Sequence, residues 1–193
     1  SFTITALDPI SVVGQTLNDI TCFGDNDGGA QFTVSGTTSF TYTINGGTSI
    51  AGTSPVSLSG LSAGPYTIVV TDDATNCEAT TAVTINQAAV ALSVSTSVNP
   101  ITCLQDGSVI INATGGWGGN VFGLTLPNGT VLPNQSNNSF TGLTQDGTYI
   151  ASVTDANGCI VTETFDLITP NAPVAFIATT SDFCFDSTNG ASL

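Results

Sequence analysis

This 193-residue chain repeats itself with a fixed period. Ile20-Thr21-Cys22 returns as Ile101-Thr102-Cys103, and Phe183-Cys184-Phe185 follows after an equal interval. Both Cys-to-Cys steps are 81 residues. Other landmarks recur with small drifts: Gly28 and Gly107, Leu61 and Leu143, Tyr66 and Tyr149, Cys77 and Cys159 lie 79 to 83 residues apart. Drift that returns to register is what loop insertions and deletions on a constant scaffold produce, and a fixed period marks tandem structural units. The chain divides into residues 1–8 (the last strand of a preceding unit), one complete unit over 9–89, a second over 90–173, and the start of a third over 174–193. Both ends then fall inside a unit, so the expectation is a window on a longer array.

Within a unit, short β-runs alternate with turn signals, the pattern of a sandwich. The first unit shows runs at Ser11–Thr16, Ala30–Ser35, Phe40–Asn45, Val56–Leu61, Tyr66–Thr71 and Glu78–Ile85. After Asn45-Gly46-Gly47, a hairpin-type turn, the stretch near Ser49 reads either as a short extra strand or as a loop. The second unit carries Leu126-Pro-Asn-Gly129 at the same turn. Threonine (32 residues) with Val, Ile and Phe provides strand formers, and 21 Gly with the Asn residues provide turns. No segment has a helical pattern, and no run of about 18 apolar residues suggests a membrane span. The fold class is all-β: tandem immunoglobulin/fibronectin-like β-sandwich repeats with the 81-residue period. Tyr66 and Tyr149 each follow a Leu and a Gly and open a strand. Each reads either as a tyrosine corner, its hydroxyl returning to nearby backbone, or as an ordinary half-buried strand Tyr.

Charge then limits function. The chain has 14 Asp+Glu and no Lys, Arg or His, a formal net charge of −14 with only 7% charged residues. Without a cation it cannot neutralise phosphates, which excludes nucleic-acid binding, and it has no polybasic patch for anionic lipid. No His or Lys serves as a base and no Arg clamps an anion. Glu78 and Glu163 are the only glutamates and do not form an acid/base pair within one unit. The expectation is a protein that is not an enzyme and carries no cofactor.

These residues resemble the SprB repeat of Bacteroidetes surface proteins. The first unit offers Cys22-Phe-Gly-Asp-Asn-Asp-Gly28, Val34-Ser-Gly36, Phe40-Thr-Tyr42, Leu61-Ser-Ala-Gly-Pro-Tyr66, Val69-Val-Thr-Asp72 and Asn76-Cys77. The second offers Cys103-Leu-Gln-Asp-Gly107, Gly115-Gly116, Phe122, Gly147-Thr-Tyr149, Val153-Thr-Asp155 and Asn157-Gly-Cys159. The second unit departs from the family by losing the Tyr-x-Tyr pair and inserting Trp117 among glycines. The resemblance implies an extracellular protein of the bacterial cell surface, exported by type IX secretion, often a gliding-motility adhesin whose repeats form a filament. Its implied partners are neighbouring repeats of the same chain, the type IX secretion machinery and the outer-membrane motility apparatus, with surface polysaccharide as a further candidate.

An oxidising exterior makes disulfides the default for the five cysteines. Pairing within units gives Cys22–Cys77 and Cys103–Cys159. Pairing across junctions gives Cys77–Cys103 and Cys159–Cys184. Strand parity bears on the choice, because five strands between Cys22 and Cys77 would put them at opposite ends of a sandwich and four at the same end. Small secreted domains usually carry their own staple, so the within-unit scheme is the expectation.

Other candidates have structural and functional readings side by side. Asp25-Asn26-Asp27-Gly28 resembles the opening of a calcium loop, but no Glu follows at EF-hand distance and Asp-Gly also suits a hairpin turn. Asp72, Asp73 and Asp155 end strands and are either calcium ligands at a junction or Asx-turn caps. Trp117, in Gly115-Gly-Trp-Gly-Gly119, either stacks on a sugar or packs against the neighbouring unit. Asn112, Asn128, Asn134 and Asn137 lie in N-x-Ser/Thr patterns that a Thr-rich chain generates by chance, and Asp186-Ser187-Thr188 resembles an acidic O-glycosylation site. The functional expectation is a filament or stalk segment of a giant surface adhesin. The alternatives are a carbohydrate-binding module built on the Trp117 loop and an inert appendage of a secreted enzyme.

Overall fold

Alternation of apolar and polar residues is the local cause of the strands, and it is cleanest at the end of each unit. In Glu78–Ile85 and Ile160–Leu167 exposed residues alternate with ones turned inward, ending on buried Val83, Ile85, Phe165 and Leu167. A computed structural model describes residues 8–169. The expected strand at 1–8 (Asp8 apart), the third unit at 174–193, Cys184 and Asp186-Ser187-Thr188 lie outside these. Thirteen strands occur among the described residues, and no helix.

The first sandwich contains β1 (Ser11–Asn18), β2 (Gly28–Ser35), β3 (Phe40–Ile44), β4 (Ile50–Gly52), β5 (Val56–Leu61), β6 (Gly64–Asp72) and β7 (Glu78–Ile85). One sheet has the order β1-β2-β5 and the facing sheet β4-β3-β6-β7, all antiparallel. The second contains β8 (Ser93–Asn99), β9 (Gly107–Thr114), β10 (Val121–Thr125), β11 (Ser139–Leu143), β12 (Gly147–Thr154) and β13 (Ile160–Leu167), in sheets β11-β9-β8 and β10-β12-β13. Together these are two immunoglobulin-like β-sandwiches, as the run-and-turn pattern predicts. Turn chemistry explains the one difference in strand number. At Asn45-Gly46 both residues have positive φ (49° and 71°), and Gly47 N–H closes the turn on the Ile44 carbonyl at 2.9 Å. That geometry matches the twist of paired strands and returns the chain into β4. At the corresponding Leu126–Gly129 turn the chain makes only isolated bridges, Thr125 with Val131 and Phe122 with Gln135.

Each sandwich has its own core. Ile20, Phe32, Ile68, Val70 and Ile85 fill the first, and Ile111, Leu124, Tyr149, Val153 and Leu167 fill the second. Each such side chain contributes about 1.5–3 kcal/mol by leaving water. Both candidate tyrosines are tyrosine corners. Tyr66 Oη donates to the Ser62 carbonyl (3.0 Å) and Tyr149 Oη to the Gln145 carbonyl (2.8 Å), each four residues upstream.

Strand polarity decides which end of one sandwich faces the other. β7 runs from the Cys77 turn to Asn86, where the Asn86 carbonyl accepts from Ile20 N–H at 2.9 Å. The chain therefore leaves the first sandwich beside Cys22. It enters the second beside the β12–β13 turn that holds Cys159, where the Val90 carbonyl accepts from Gly116 N–H at 2.9 Å.

Candidate functional site: the inter-repeat junction

The loop between β1 and β2 presents Cys22, and the residues linking the sandwiches hold that loop in place. Asp19 Oδ1 accepts from Asn86 N–H (2.7 Å), and Gln87 Oε1 accepts from Gly24 N–H (3.0 Å). Within the loop, Thr21 N–H donates to Asp27 Oδ1 at 3.1 Å. Thr21, through its hydroxyl and its N–H, holds the Asp27 carboxyl below the usual carboxylate range.

On the facing side, Asp155 organises the loops. It is 5% exposed, and its carboxylate accepts three backbone N–H groups, from Trp117, Asn157 and Cys159, each at 3.0 Å. Buried carboxylates need such partners, and here backbone donors supply them without a cation. Gly115 and Gly116 allow the close approach. A Cβ on Gly115 (φ +75°) would lie 2.0 Å from the Ala91 carbonyl oxygen, and one on Gly116 would lie 2.7 Å from Asp155 Oδ2.

The two sides meet in a covalent bond and a hydrogen bond. Cys22 and Cys159 form a disulfide with Cα atoms 5.0 Å apart, 137 residues apart in sequence, and Cys22 packs against the second core. Trp117 Nε1–H donates to the Ile20 carbonyl at 3.1 Å. The half-buried indole is thus engaged with the neighbouring sandwich, the packing role among its two sequence readings.

This corrects the expected disulfides. Cys22–Cys77 does not form, because β4 exists, five strands separate the two residues, and they stand at opposite ends of the first sandwich. Cys103–Cys159 also does not form: only four strands lie between the two residues, but the stretch between β10 and β11, which makes only isolated bridges, carries the chain back along the sandwich and leaves Cys103 at the end opposite Cys159. The junction alternatives, Cys77–Cys103 and Cys159–Cys184, place the bond at the right kind of location between the wrong partners. The ends that face each other carry Cys22 and Cys159, while Cys77 and Cys103 are exposed and unpaired. Sequence reading also missed Ile20 as the acceptor for Trp117, since a backbone carbonyl leaves no residue-type signal.

The calcium candidates other than Asp25 are engaged as hydrogen-bond acceptors. Asp72 accepts from Ala74 N–H (2.8 Å) and the Thr75 hydroxyl (3.0 Å), Asp73 accepts from the Ser39 hydroxyl, and Asp25 is exposed. The Ala74 N–H holds the Asp72 carboxyl below its ordinary range, against the opposing effect of burial and with help from Thr75. Among the described residues no three carboxylate or thiol groups gather where they could hold a metal ion.

With this geometry in place, comparison with known proteins gives one family. Residues 14–49 match the SprB repeat. The SprB match runs from within β1 to the loop before β4 and includes Cys22, and it marks a surface-adhesin type of repeat region. Such a repeat and a disulfide together indicate an extracellular protein. No curated protein matches the chain. Among solved structures, the chain resembles DIP-gamma IG1+IG2, with 12% identity over 85% of this chain and 99% of that one and a TM-score of 0.43. It also resembles the C-terminal 282-residue fragment of intimin, solved with the intimin-binding domain of the translocated intimin receptor (17% identity, 83% and 63% coverage, TM-score 0.46). A third is the BSP domain of a biofilm associated protein (18% identity, 84% and 30% coverage, TM-score 0.28). These likenesses concern the sandwich architecture and do not bear on what this chain binds.

Proposed function

We propose that this chain is a stalk or filament segment of a cell-surface adhesin used in surface attachment and gliding, and that it performs no catalysis. The observation that carries the reading is the Cys22–Cys159 bond across the junction. Tandem sandwiches joined only by a short linker bend at each joint, and a bond beside the linker removes most of that freedom. A segment that transmits load from a tip to an anchor needs such joints. The absence of Lys and Arg supports the same role, because trypsin-like proteases find no site, and a net charge of −14 discourages lateral clumping of filaments. The proposed partners are neighbouring repeats, the type IX export machinery and the outer-membrane motility apparatus. Trp117 belongs to the joint rather than to a glycan site, since its N–H is engaged by Ile20.

Antibodies raised against residues 8–169 should label intact cells that express the parent protein. In-frame deletion of the two sandwiches should shorten its projection from the surface while leaving attachment in place. Labelling only after lysis would contradict the surface role, and lost attachment on deletion would put the adhesive site here and favour the glycan-binding alternative.

A further inference from the structure

The two unpaired thiols are the counterparts of the two that are bonded. Cys77 follows the β6–β7 turn of the first sandwich as Cys159 follows the β12–β13 turn of the second. Both turns close on the same pairing, the first being one residue longer: Asp72 N–H donates to the Cys77 carbonyl (2.9 Å), and Asp155 N–H to the Cys159 carbonyl (3.0 Å). Cys103 follows Ile101-Thr102 as Cys22 follows Ile20-Thr21, and both isoleucines are buried at the same end of their sandwich. Among the described residues, a cysteine is exposed only where no sandwich stands opposite it: Cys159 is 5% exposed and Cys22 is half-buried, whereas Cys77 and Cys103 are open.

The surroundings of the open pair also suit a joint. Beside Cys77 lies a cleft of about 360 Å³ lined by Pro9, Ile10, Thr75 and Glu78 among others, at the end corresponding to the one that receives Cys22 in the second sandwich. Beside Cys103, Leu104 is 95% exposed, an apolar side chain standing free next to a thiol.

We propose that Cys77 and Cys103 are the two halves of a repeating inter-sandwich staple, and that the Cys77 end receives the Cys103 end of a second copy of this repeat pair, head to tail. The joint would reproduce the Cys22–Cys159 connection with one difference. The loop after Gly36 carries Thr37 and Thr38 and has no counterpart of Trp117, so this joint relies on the disulfide without the indole hydrogen bond. Each such link leaves one free Cys77 end and one free Cys103 end, so further copies can add in a line. The inference rests on the observed junction and not on the adhesin reading, and its test uses the isolated chain, so either can fail alone.

Bond formation needs an oxidant, here a low-molecular-weight disulfide such as oxidised glutathione. The thiolate of Cys103 attacks it and releases one glutathione thiolate. The thiolate of Cys77 from a second copy then attacks the protein sulfur of the mixed disulfide and releases the other. Two thiols lose two protons and two electrons, and one glutathione disulfide becomes two glutathione thiols.

The test is oxidation of the full chain carrying C184S, at high protein concentration and high salt, which screens the carboxylates at both ends. Non-reducing electrophoresis should show a ladder of dimers and longer species. Peptide mass mapping should find Cys77 joined to Cys103 at each link, with Cys22–Cys159 intact. C77S and C103S should each remain monomeric, and an equimolar mixture of the two should stop at dimers. Glutathione-capped monomers only, or Cys77–Cys77 and Cys103–Cys103 links as frequent as Cys77–Cys103, would overturn the proposal.

Discussion

The indole N–H of Trp117 donates a 3.1 Å hydrogen bond to the carbonyl oxygen of Ile20, a residue of the other sandwich 97 positions earlier. Beside it, the Cys22–Cys159 bond fixes the same two surfaces. Replacing the ring by W117F keeps most of the packing and leaves the Ile20 carbonyl without its donor, at a cost of about 0.5–1.5 kcal/mol. W117A loses the packing too and should cost more, about 1–3 kcal/mol. Calorimetric melting of the two variants against the parent chain checks both values. Equal stability of all three would remove Trp117 from the joint.

Some of this was legible in the sequence. The runs Val56–Leu61 and Glu78–Ile85 coincide with β5 and β7, because period-2 alternation and flanking turn residues are local signals. The tyrosine corners were also within reach, since the Gly-x-Tyr context is local. The disulfide partners were not. They depend on whether the three-residue strand Ile50–Gly52 forms, which flips the parity between Cys22 and Cys77, and on which end of the sandwich the chain leaves. The run of glycines around Trp117 reads as flexible, yet Gly115 and Gly116 are required by tight contacts with Ala91 and Asp155.

Tyr149 is fully buried, stacks on Phe165 with ring centroids 5.2 Å apart, and spends its hydroxyl on the Gln145 carbonyl. Y149F should therefore cost about 1–1.5 kcal/mol. Y66F should cost less, because the Ser62 carbonyl can turn to water. Burial raises the Tyr149 pKa above its ordinary 10.0, and the nearby Asp146 charge adds to this. A raised folded-state value means that this stability is full below pH 10 and declines as pH rises through the folded value. Alkaline melts should show that decline in the parent and not in Y149F.

Asp72 and Asp27 have the opposite sense. Their folded-state pKa values lie below the ordinary 3.8, so the stability they confer is complete above that pH and is lost as pH falls through the folded values. Melting temperature should hold steady from neutral pH to about pH 5 and fall below pH 4. D72N should be less stable than the parent at pH 7 and show a shallower acid decline. A parallel decline in both would show that other groups control acid stability.

Two glycines in the left-handed region separate backbone strain from close contact. At Gly129 (φ +83°) an added Cβ meets nothing within 4 Å, so G129A should cost only the conformational term, about 1 kcal/mol. At Gly115 the Cβ would strike the Ala91 carbonyl, so G115A should cost about 2–4 kcal/mol. Urea unfolding of the two variants tests the ordering, and equal effects would contradict the tight packing at the joint.

A bond between neighbouring sandwiches, rather than one inside each, fixes the joint. The direct measurement is mass mapping of disulfide-linked peptides after non-reducing digestion at low pH with pepsin, since trypsin has no site in this chain. The expected result is a peptide pair joining Cys22 to Cys159, with Cys77 and Cys103 recovered as free thiols in the freshly purified monomer. A pair joining Cys22 to Cys77, or Cys103 to Cys159, would contradict it.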